Sequence, residues 1–313
     1  MTAALRIIFM GTPEFAVPSL SALLETGKNV VAVVSQPDRP KGRGRKLAPT
    51  PVKVLAEKHG IPVLQPTKIR TEEFHRTIAA YKPDLITVTA YGRILPGSLL
   101  DLPPLGTINV HGSLLPKYRG AAPVQWAVLN GEKEAGVTIM QMDEGMDTGD
   151  ILLPAAIPIE PEDTSGTLAA KLAALGGQKL VEAIDLLAEG KLSPQKQNDS
   201  RATTAPLLTK EMGHIDWTKS AEEISNLIRG LDPWPMAYTI HEGSWLRLFK
   251  PAVIVGHAEE EPGTLRRADA DGLLITTDEN YLLVREIQRQ GGKRMSVEDF
   301  LRGRPLAKGI RFQ

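Results

Sequence analysis

Leu5-Arg6-Ile7-Ile8-Phe9-Met10, followed by Gly11-Thr12-Pro13-Glu14, opens the chain with an apolar run that stops at a turn. Such a run reads as a strand buried inside a sheet, and the four residues after it supply a turn, a helix N-cap, a first-turn proline and a first-turn acid. A helix to about Glu25 is the consequence. The alternation recurs downstream, with strands over residues 30–35, 62–64 and 85–90 and helices over 51–59 and 71–81. Strands separated by helices need crossover connections, so the first part of the chain is predicted to be α/β: a doubly wound, mostly parallel sheet, Rossmann-like, with helices on both faces. Ligands in such sheets sit beyond the carboxyl ends of the strands.

Two further strands, 107–110 and 137–142, flank a helix at 121–129, and a strand to 159 precedes a helix over 165–189 that stops at Gly190. Residues 191–206 are polar with two prolines, which suits an interdomain linker. Past residue 207 the texture changes to one helix at 221–229 and five short alternating stretches, at 237–241, 245–249, 263–267, 273–277 and 281–287. That spacing predicts a small β-barrel of the oligonucleotide-binding (OB-like) kind. The expected organisation is a domain over 1–190, a linker over 191–206 and a second domain over 207–313.

The length of 313 residues allows two domains, and 42% hydrophobic with 24% charged residues matches an ordinary globular protein. With no cysteine, disulfides, thiolate nucleophiles and cysteine-held zinc or iron–sulfur sites are excluded. The six histidines are scattered without ligand spacing. The apolar run at 5–10 is too short for a signal peptide and no stretch reads as a membrane span, so a cytoplasmic protein with no membrane partner is expected, working as a monomer. Formal net charge is zero, so a nucleic-acid partner would have to be met by local basic patches.

Two segments stand out chemically. In Asn109-Val110-His111-Gly112-Ser113, strand periodicity projects Asn109 and His111 to the same side at the end of a predicted strand. An amide and an imidazole can donate to the oxyanion that develops on an attacked carbonyl, and they serve equally well as hydrogen-bonded scaffolding. The second segment, residues 143–150, packs Asp143, Glu144, Asp147 and Asp150 into a glycine-containing loop after another strand. It lacks the spacing of a calcium loop, so no metal is expected. One carboxylate set beside the imidazole, favouring its charged form and fixing the ring, is the better use. The first turn, with Gly11 alone, does not make the dinucleotide-binding G-x-G-x-x-G pattern.

Cations concentrate in two places. Asp38-Arg39-Pro40-Lys41-Gly42-Arg43-Gly44-Arg45-Lys46 alternates glycine with positive charge, which suits a mobile loop that orders on phosphates or a plain solvated one. Residues 285–311 carry eight Lys or Arg against three acids, a second patch able to face phosphates.

Together with Phe9-Met10-Gly11-Thr12-Pro13-Glu14-Phe15, Gln36-Pro37-Asp38-Arg39-Pro40, Ala90-Tyr91-Gly92-Arg93-Ile94-Leu95-Pro96 and His111-Gly112-Ser113-Leu114-Leu115-Pro116, these segments resemble the methionyl-tRNA formyltransferase family, almost end to end. The Asn-x-His element and the acidic loop resemble the wider formyl-folate transferase superfamily; the basic loop and second domain narrow the likeness to the tRNA branch. The resemblance implies transfer of a formyl group from 10-formyltetrahydrofolate to the amino group of charged initiator tRNA, with Asn109, His111 and Asp147 as the catalytic trio. It implies folate contacts at Arg93, Ile94, Leu95 and Pro96, at Ser113, Leu114, Leu115 and Pro116, and at Gln141, Met142, Asp143 and Glu144. It places Lys41, Arg43, Arg45 and Lys46 against the acceptor stem of the tRNA, with the second domain holding the rest of that arm. The nearest rival is a formyltransferase for a small acceptor, which would need neither the basic loop nor the second domain; a noncatalytic folate- or RNA-binding protein would have no use for the trio.

Overall fold

The computed structural model describes residues 4–41, 46–257 and 259–313, and of Lys41 and Lys46 only the backbone. The chain falls into two compact units: Met1–Pro123, Ala135–Ile157 and Ala169–Ala205 form the first, and Val124–Glu134, Pro158–Leu168 and Pro206–Gln313 the second.

In chain order the first part carries β1 (Ile7–Gly11), α1 (Val17–Glu25), β2 (Val30–Val34), β3 (Arg39–Lys41), β4 (Lys46–Ala48), α2 (Pro51–Lys58), β5 (Val63–Leu64), α3 (Glu72–Ala80), β6 (Leu85–Thr89), α4 (Gly97–Leu100), β7 (Thr107–His111), β8 (Arg119–Gly120), α5 (Pro123–Leu129), β9 (Glu134–Gln141), β10 (Ile151–Pro158), α6 (Ser165–Ala188) and β11 (Thr204–Ala205). Seven strands form one sheet in the order β10-β9-β7-β6-β1-β2-β5. Pairing is parallel from β5 through β2, β1 and β6 to β7, and reverses where β7 meets β9. Alternate residues feed two cores. Ile7, Phe9, Val33, Leu85 and Ile108 join Leu20 and Leu23 of α1, Val52 of α2 and Leu180 of α6, while Ile8, Met10, Val34 and Ile86 join Phe74 and Ile78 of α3. Burial on both faces is why these strands read as unbroken apolar runs.

Three local expectations change. Thr12 does not cap α1; a 3-10 turn at Glu14–Ala16 intervenes and Ala16 stands at the N-cap without a side-chain bond. The Thr12 hydroxyl instead donates to Tyr91 O at 3.2 Å and accepts from Gln36 N at 3.3 Å, satisfying two backbone groups where neighbouring strands end. The ends of the basic segment pair as two antiparallel strands, Arg39 with Ala48 through Lys41 with Lys46, and the residues between them, 42–45, lie outside the described residues. Residues 191–206 are tied down as well: Gln195 bridges to Ile151, and β11 pairs in parallel with β8.

The second unit is built on α7 (Ala221–Gly230) and six antiparallel strands: β12 (Tyr238–His241), β13 (Ser244–Ile254), β14 (Leu265–Asp269), β15 (Gly272–Thr276), β16 (Tyr281–Arg289) and β17 (Met295–Ser296), followed by α8 (Val297–Gly303). Sheet order is β12-β13-β16-β15-β14, with β17 on β16. The last residues bridge its two ends: Leu265 N donates to Ile310 O, Phe312 N to Gly263 O, and Ile240 N to Gln313 O. Ile224 and Ile228 of α7 and Phe300 of α8 pack with Leu248, Ile275, Leu282 and Ile287 in its core. β13 runs five residues past its expected end, through Pro251. Its pairing with β12 stops at Arg247, so the missing N–H of Pro251 breaks no ladder bond on that side.

Candidate active site

Asn109 and His111 lie on one side of β7, directly opposite Met140 and Thr138 of β9. His111 is buried, 5% exposed, so each ring nitrogen must be accounted for. Nε2 lies 3.0 Å from Tyr118 O. A carbonyl only accepts, so Nε2 carries a hydrogen and Nδ1 is the nitrogen left for chemistry. Nδ1 faces Asp147 Oδ1 at 3.6 Å. Asp147 sits in the loop between β9 and β10 with φ of 55°, a left-handed conformation that is costly for a residue with a Cβ. Its other oxygen, Oδ2, accepts from Gly120 N at 2.8 Å. The half-buried carboxamide of Asn109 has no hydrogen-bond partner among the described residues, so its N–H groups are available beside the imidazole.

A cavity of about 120 Å³ adjoins this group, lined by Arg93, Ile94, Leu95, Met140, Met142, Asp143, Gly145, Met146 and Asp147. A larger one, about 670 Å³, shares Ile94 and Leu95 and extends past Pro96 and Glu144 to Arg70 and His75. Apolar walls of Ile94, Leu95, Met140 and Met142 with carboxylates at the rim fit a flat heterocycle with a polar edge, and Asp147 puts the His111 pair at the end of that space. The sequence-predicted residues thus divide. Arg93, Ile94, Leu95, Met142 and Asp143 meet at the first cavity, and Pro96 and Glu144 at the second. The Arg93 guanidinium is engaged elsewhere, donating to Gln36 Oε1 and Thr67 O at 3.2 and 2.8 Å. Gln141 stands beside the cavity, its N–H on Asp150 O.

Ser113, Leu114, Leu115 and Pro116 line neither cavity. They shape the loop after β7: the Ser113 hydroxyl donates to Lys117 O, and Thr138 donates to Ser113 O while accepting from Leu115 N. Sequence reading passed over Tyr118, Gly120, Met140 and Met146. The first two act through backbone atoms, which leave no side-chain signature; Met140 falls within the predicted strand 137–142 and Met146 between the acids of the 143–150 loop, where an apolar side chain drew no notice. Among the described residues no group of His, Asp or Glu is arranged to hold a metal ion, and no helix is long and apolar enough to cross a membrane.

The two basic segments differ in what can be described. Lys41 and Lys46 form a backbone pair between β3 and β4; Arg43 and Arg45 lie outside the described residues. Of the eight cations over 285–311, three are committed: Arg294 to Asp232 and Glu286, Arg302 to Glu298 and Asp299, and Arg311 to Glu261. Arg285, Arg289, Lys293, Arg304 and Lys308 are exposed and have no ion-pair partner among the described residues.

Residues 5–184 match the family described as formyl transferase, and residues 207–305 the formyl transferase C-terminal domain. The methionyl-tRNA formyltransferase of Desulfotalea psychrophila is 61% identical over 96% of this chain and 93% of its own, and that of Geobacter sulfurreducens 51% identical over 99% and 97%. Among solved structures, the N-formyltransferase of Helicobacter canadensis in complex with folinic acid and dTDP-3-aminofucose superposes with a TM-score of 0.66 at 19% identity, covering 91% of this chain and all of that one, which shows a shared fold. The strand-borne Asn-x-His, the acidic loop that meets it and the near full-length identity converge on one assignment: this chain belongs to the formyl transferase family, in its methionyl-tRNA formyltransferase branch.

Proposed function

We propose that this chain transfers the formyl group of 10-formyltetrahydrofolate to the α-amino group of methionyl initiator tRNA, giving formylmethionyl-tRNA for translation initiation. Near full-length identity to methionyl-tRNA formyltransferases supports the reading, and one observation carries its chemistry: Asp147 both lines the cavity and faces Nδ1 of His111. Binding space and proton-handling pair meet at one carboxylate.

The folate supplies a formyl carbon bound as an amide at N10. The attacking amine, with a reference pKa of about 7.7–8.0, is partly neutral near pH 7, so it needs positioning more than a strong base. As its nitrogen bonds to the formyl carbon, an electron pair moves onto the formyl oxygen. The Asn109 carboxamide and the Nδ1–H of protonated His111 donate to that oxygen. Asp147 orients the ring and takes up, through water, the proton that the amine sheds. When the electron pair returns, the bond to N10 breaks and that nitrogen leaves with the proton that Asp147 hands on through water, which restores the carboxylate.

In this reading Ile94, Leu95, Met142 and Asp143 hold the pterin. Pro96 and Glu144 border the space beyond it, Arg93 braces its own loop, and residues 113–116 set the path of the strand end. The basic segment with Lys41, Arg43, Arg45 and Lys46 meets the acceptor stem, and the five uncommitted cations of the second unit face tRNA phosphates. The enzyme acts as a cytoplasmic monomer. The test is formyl transfer from 10-formyltetrahydrofolate to charged initiator tRNA, with a small amine as control acceptor. Rapid formylation of the tRNA alone is expected; transfer to the small amine alone would move the chain to the small-acceptor branch.

A further inference from the structure

Gln197 lies in the polar segment between α6 and β11, about fifty residues from Asp147 in sequence. Its Nε2 donates to two backbone carbonyls of the acidic loop, Asp147 O at 2.8 Å and Gly149 O at 2.7 Å. Its Oε1 accepts from Nε and Nη2 of Arg119 at 3.0 and 2.8 Å. Carbonyls only accept and a guanidinium only donates, so the amide has one possible orientation, and both N–H groups and both lone pairs are used. Arg119 is held in turn by Asp199 at 2.7 Å.

The carbonyls gripped are Asp147's own and that of Gly149, two residues on, so Gln197 holds the backbone immediately after the Cα that bears the carboxylate and stands at φ 55°. At Gly149 the loop passes close against β9: a Cβ there would fall 1.8 Å from Gln141 O. Arg119 also belongs to a run in which successive residues each hold a part of the site. Tyr118 O takes Nε2 of His111, Arg119 takes Gln197, and Gly120 N takes Oδ2 of Asp147.

We propose that Gln197 is a positioning residue for formyl transfer: its carboxamide, oriented by Arg119, fixes the Asp147 backbone so that the carboxylate faces Nδ1 of His111. The proposal rests on Asp147 acting with His111 in the reaction. Gln197 touches no substrate, so its removal lowers kcat and leaves binding of donor and tRNA in place.

The experiment is a double-mutant cycle on the full chain, read as kcat and KM for donor and for charged tRNA. Gln197→Met, close in shape and without the four hydrogen bonds, is expected to lower kcat about 10- to 100-fold, as for a small displacement of a reacting group, with each KM within about twofold. In an Asp147→Ala background the same substitution is expected to cost less than about threefold, because the group it positions is gone. Should Gln197→Met lower the melting temperature enough to unfold the chain, Arg119→Lys is used in its place; it keeps the charge, loses the two-pronged hold on Oε1, and is expected to show the same dependence on Asp147. Parental kcat in the substituted chain, or an undiminished penalty in the Asp147→Ala background, overturns the proposal. Parental kcat in Asp147→Ala alone overturns the underlying reading of Asp147 instead.

Discussion

His111 and Arg304 are both cationic when protonated, yet the protein treats them in opposite ways. The imidazole is buried at a strand end, one nitrogen on Tyr118 O and the other facing Asp147, whose carboxylate is itself held by Gly120 N. The Arg304 guanidinium, like those of Arg285 and Arg289, stands exposed without an ion-pair partner among the described residues. Chemistry needs atoms fixed to a fraction of an ångström, whereas attraction to a polyanion needs only charge within a Debye length. The difference predicts that substitutions at the first region act on rate, and those at the second on affinity and its salt dependence.

The largest effects are expected at the braced region. Asn109→Ala should lower turnover by about 10²–10³-fold, roughly the cost of removing one oxyanion donor, and Asp147→Ala by about 10²–10⁴-fold, the cost of losing a positioned proton acceptor, while tRNA binding persists. Turnover at saturating substrates checks this, and near-parental values in both would dissolve the distinction between the regions.

Arg294 sharpens the contrast from within the second unit. It pairs with Asp232 and Glu286 at 2.9 and 2.6 Å and lies 4.0 Å over the Phe249 ring, so its charge, though partly exposed, is already paired within the second unit. Arg294→Ala should cost about 1–2 kcal/mol of stability, read by denaturant unfolding, because Glu286 loses a charged hydrogen-bond donor. The salt dependence of tRNA binding should not change. At the exposed cations the outcome reverses: Arg304→Ala or Arg289→Ala should leave stability and kcat alone and flatten the slope of log affinity against log salt by about 0.7–0.9 for each phosphate left without its cation. Arg43→Ala, between β3 and β4 in the sequence, should do the same.

How much could be read in advance follows the same division. The sheet was legible because strands buried on both faces leave apolar runs such as Ile7 to Met10, and the candidate site stood out because Asn109 and His111 interrupt such a run with polar groups that are expensive there. The braces were not. β8 and β11 are two residues each and pair across 85 positions, too short for any periodicity. Tyr118 and Gly120 contribute a carbonyl and an N–H that every non-proline residue owns. Gln197 looked like linker because two of its bonds run to backbone carbonyls and the other two to Arg119, 78 positions away, and Thr12 looked like a cap because a hydroxyl after a strand serves a neighbouring strand end as readily as a helix.

The smallest expected effect concerns the base of the β3–β4 pair. Hydrogen bonds from Gln65 and then Lys53 hold the Asp38 carboxyl below its ordinary 3.8, and Asp38 in turn holds Lys53 above 10.5. A lowered carboxyl value contributes stability that is present above the unfolded value and is lost as pH falls through the folded one; a raised ammonium value contributes below its ordinary value and is lost as pH rises through the folded one. Asp38→Asn should therefore lower the melting temperature slightly and evenly between about pH 5 and 9, with the difference closing toward both extremes. A difference that grows in acid would contradict the assignment.

The most direct test sets the two regions side by side: single-turnover formylation of charged initiator tRNA at saturating 10-formyltetrahydrofolate, with tRNA affinity measured on the same preparations of His111→Ala and of Arg289→Ala combined with Arg304→Ala. Placing the chemistry at the His111 strand end predicts a rate lowered about 10²–10³-fold with parental tRNA affinity for the first, and a parental rate with weakened, less salt-dependent affinity for the second. A His111→Ala enzyme that formylates at the parental rate would contradict it.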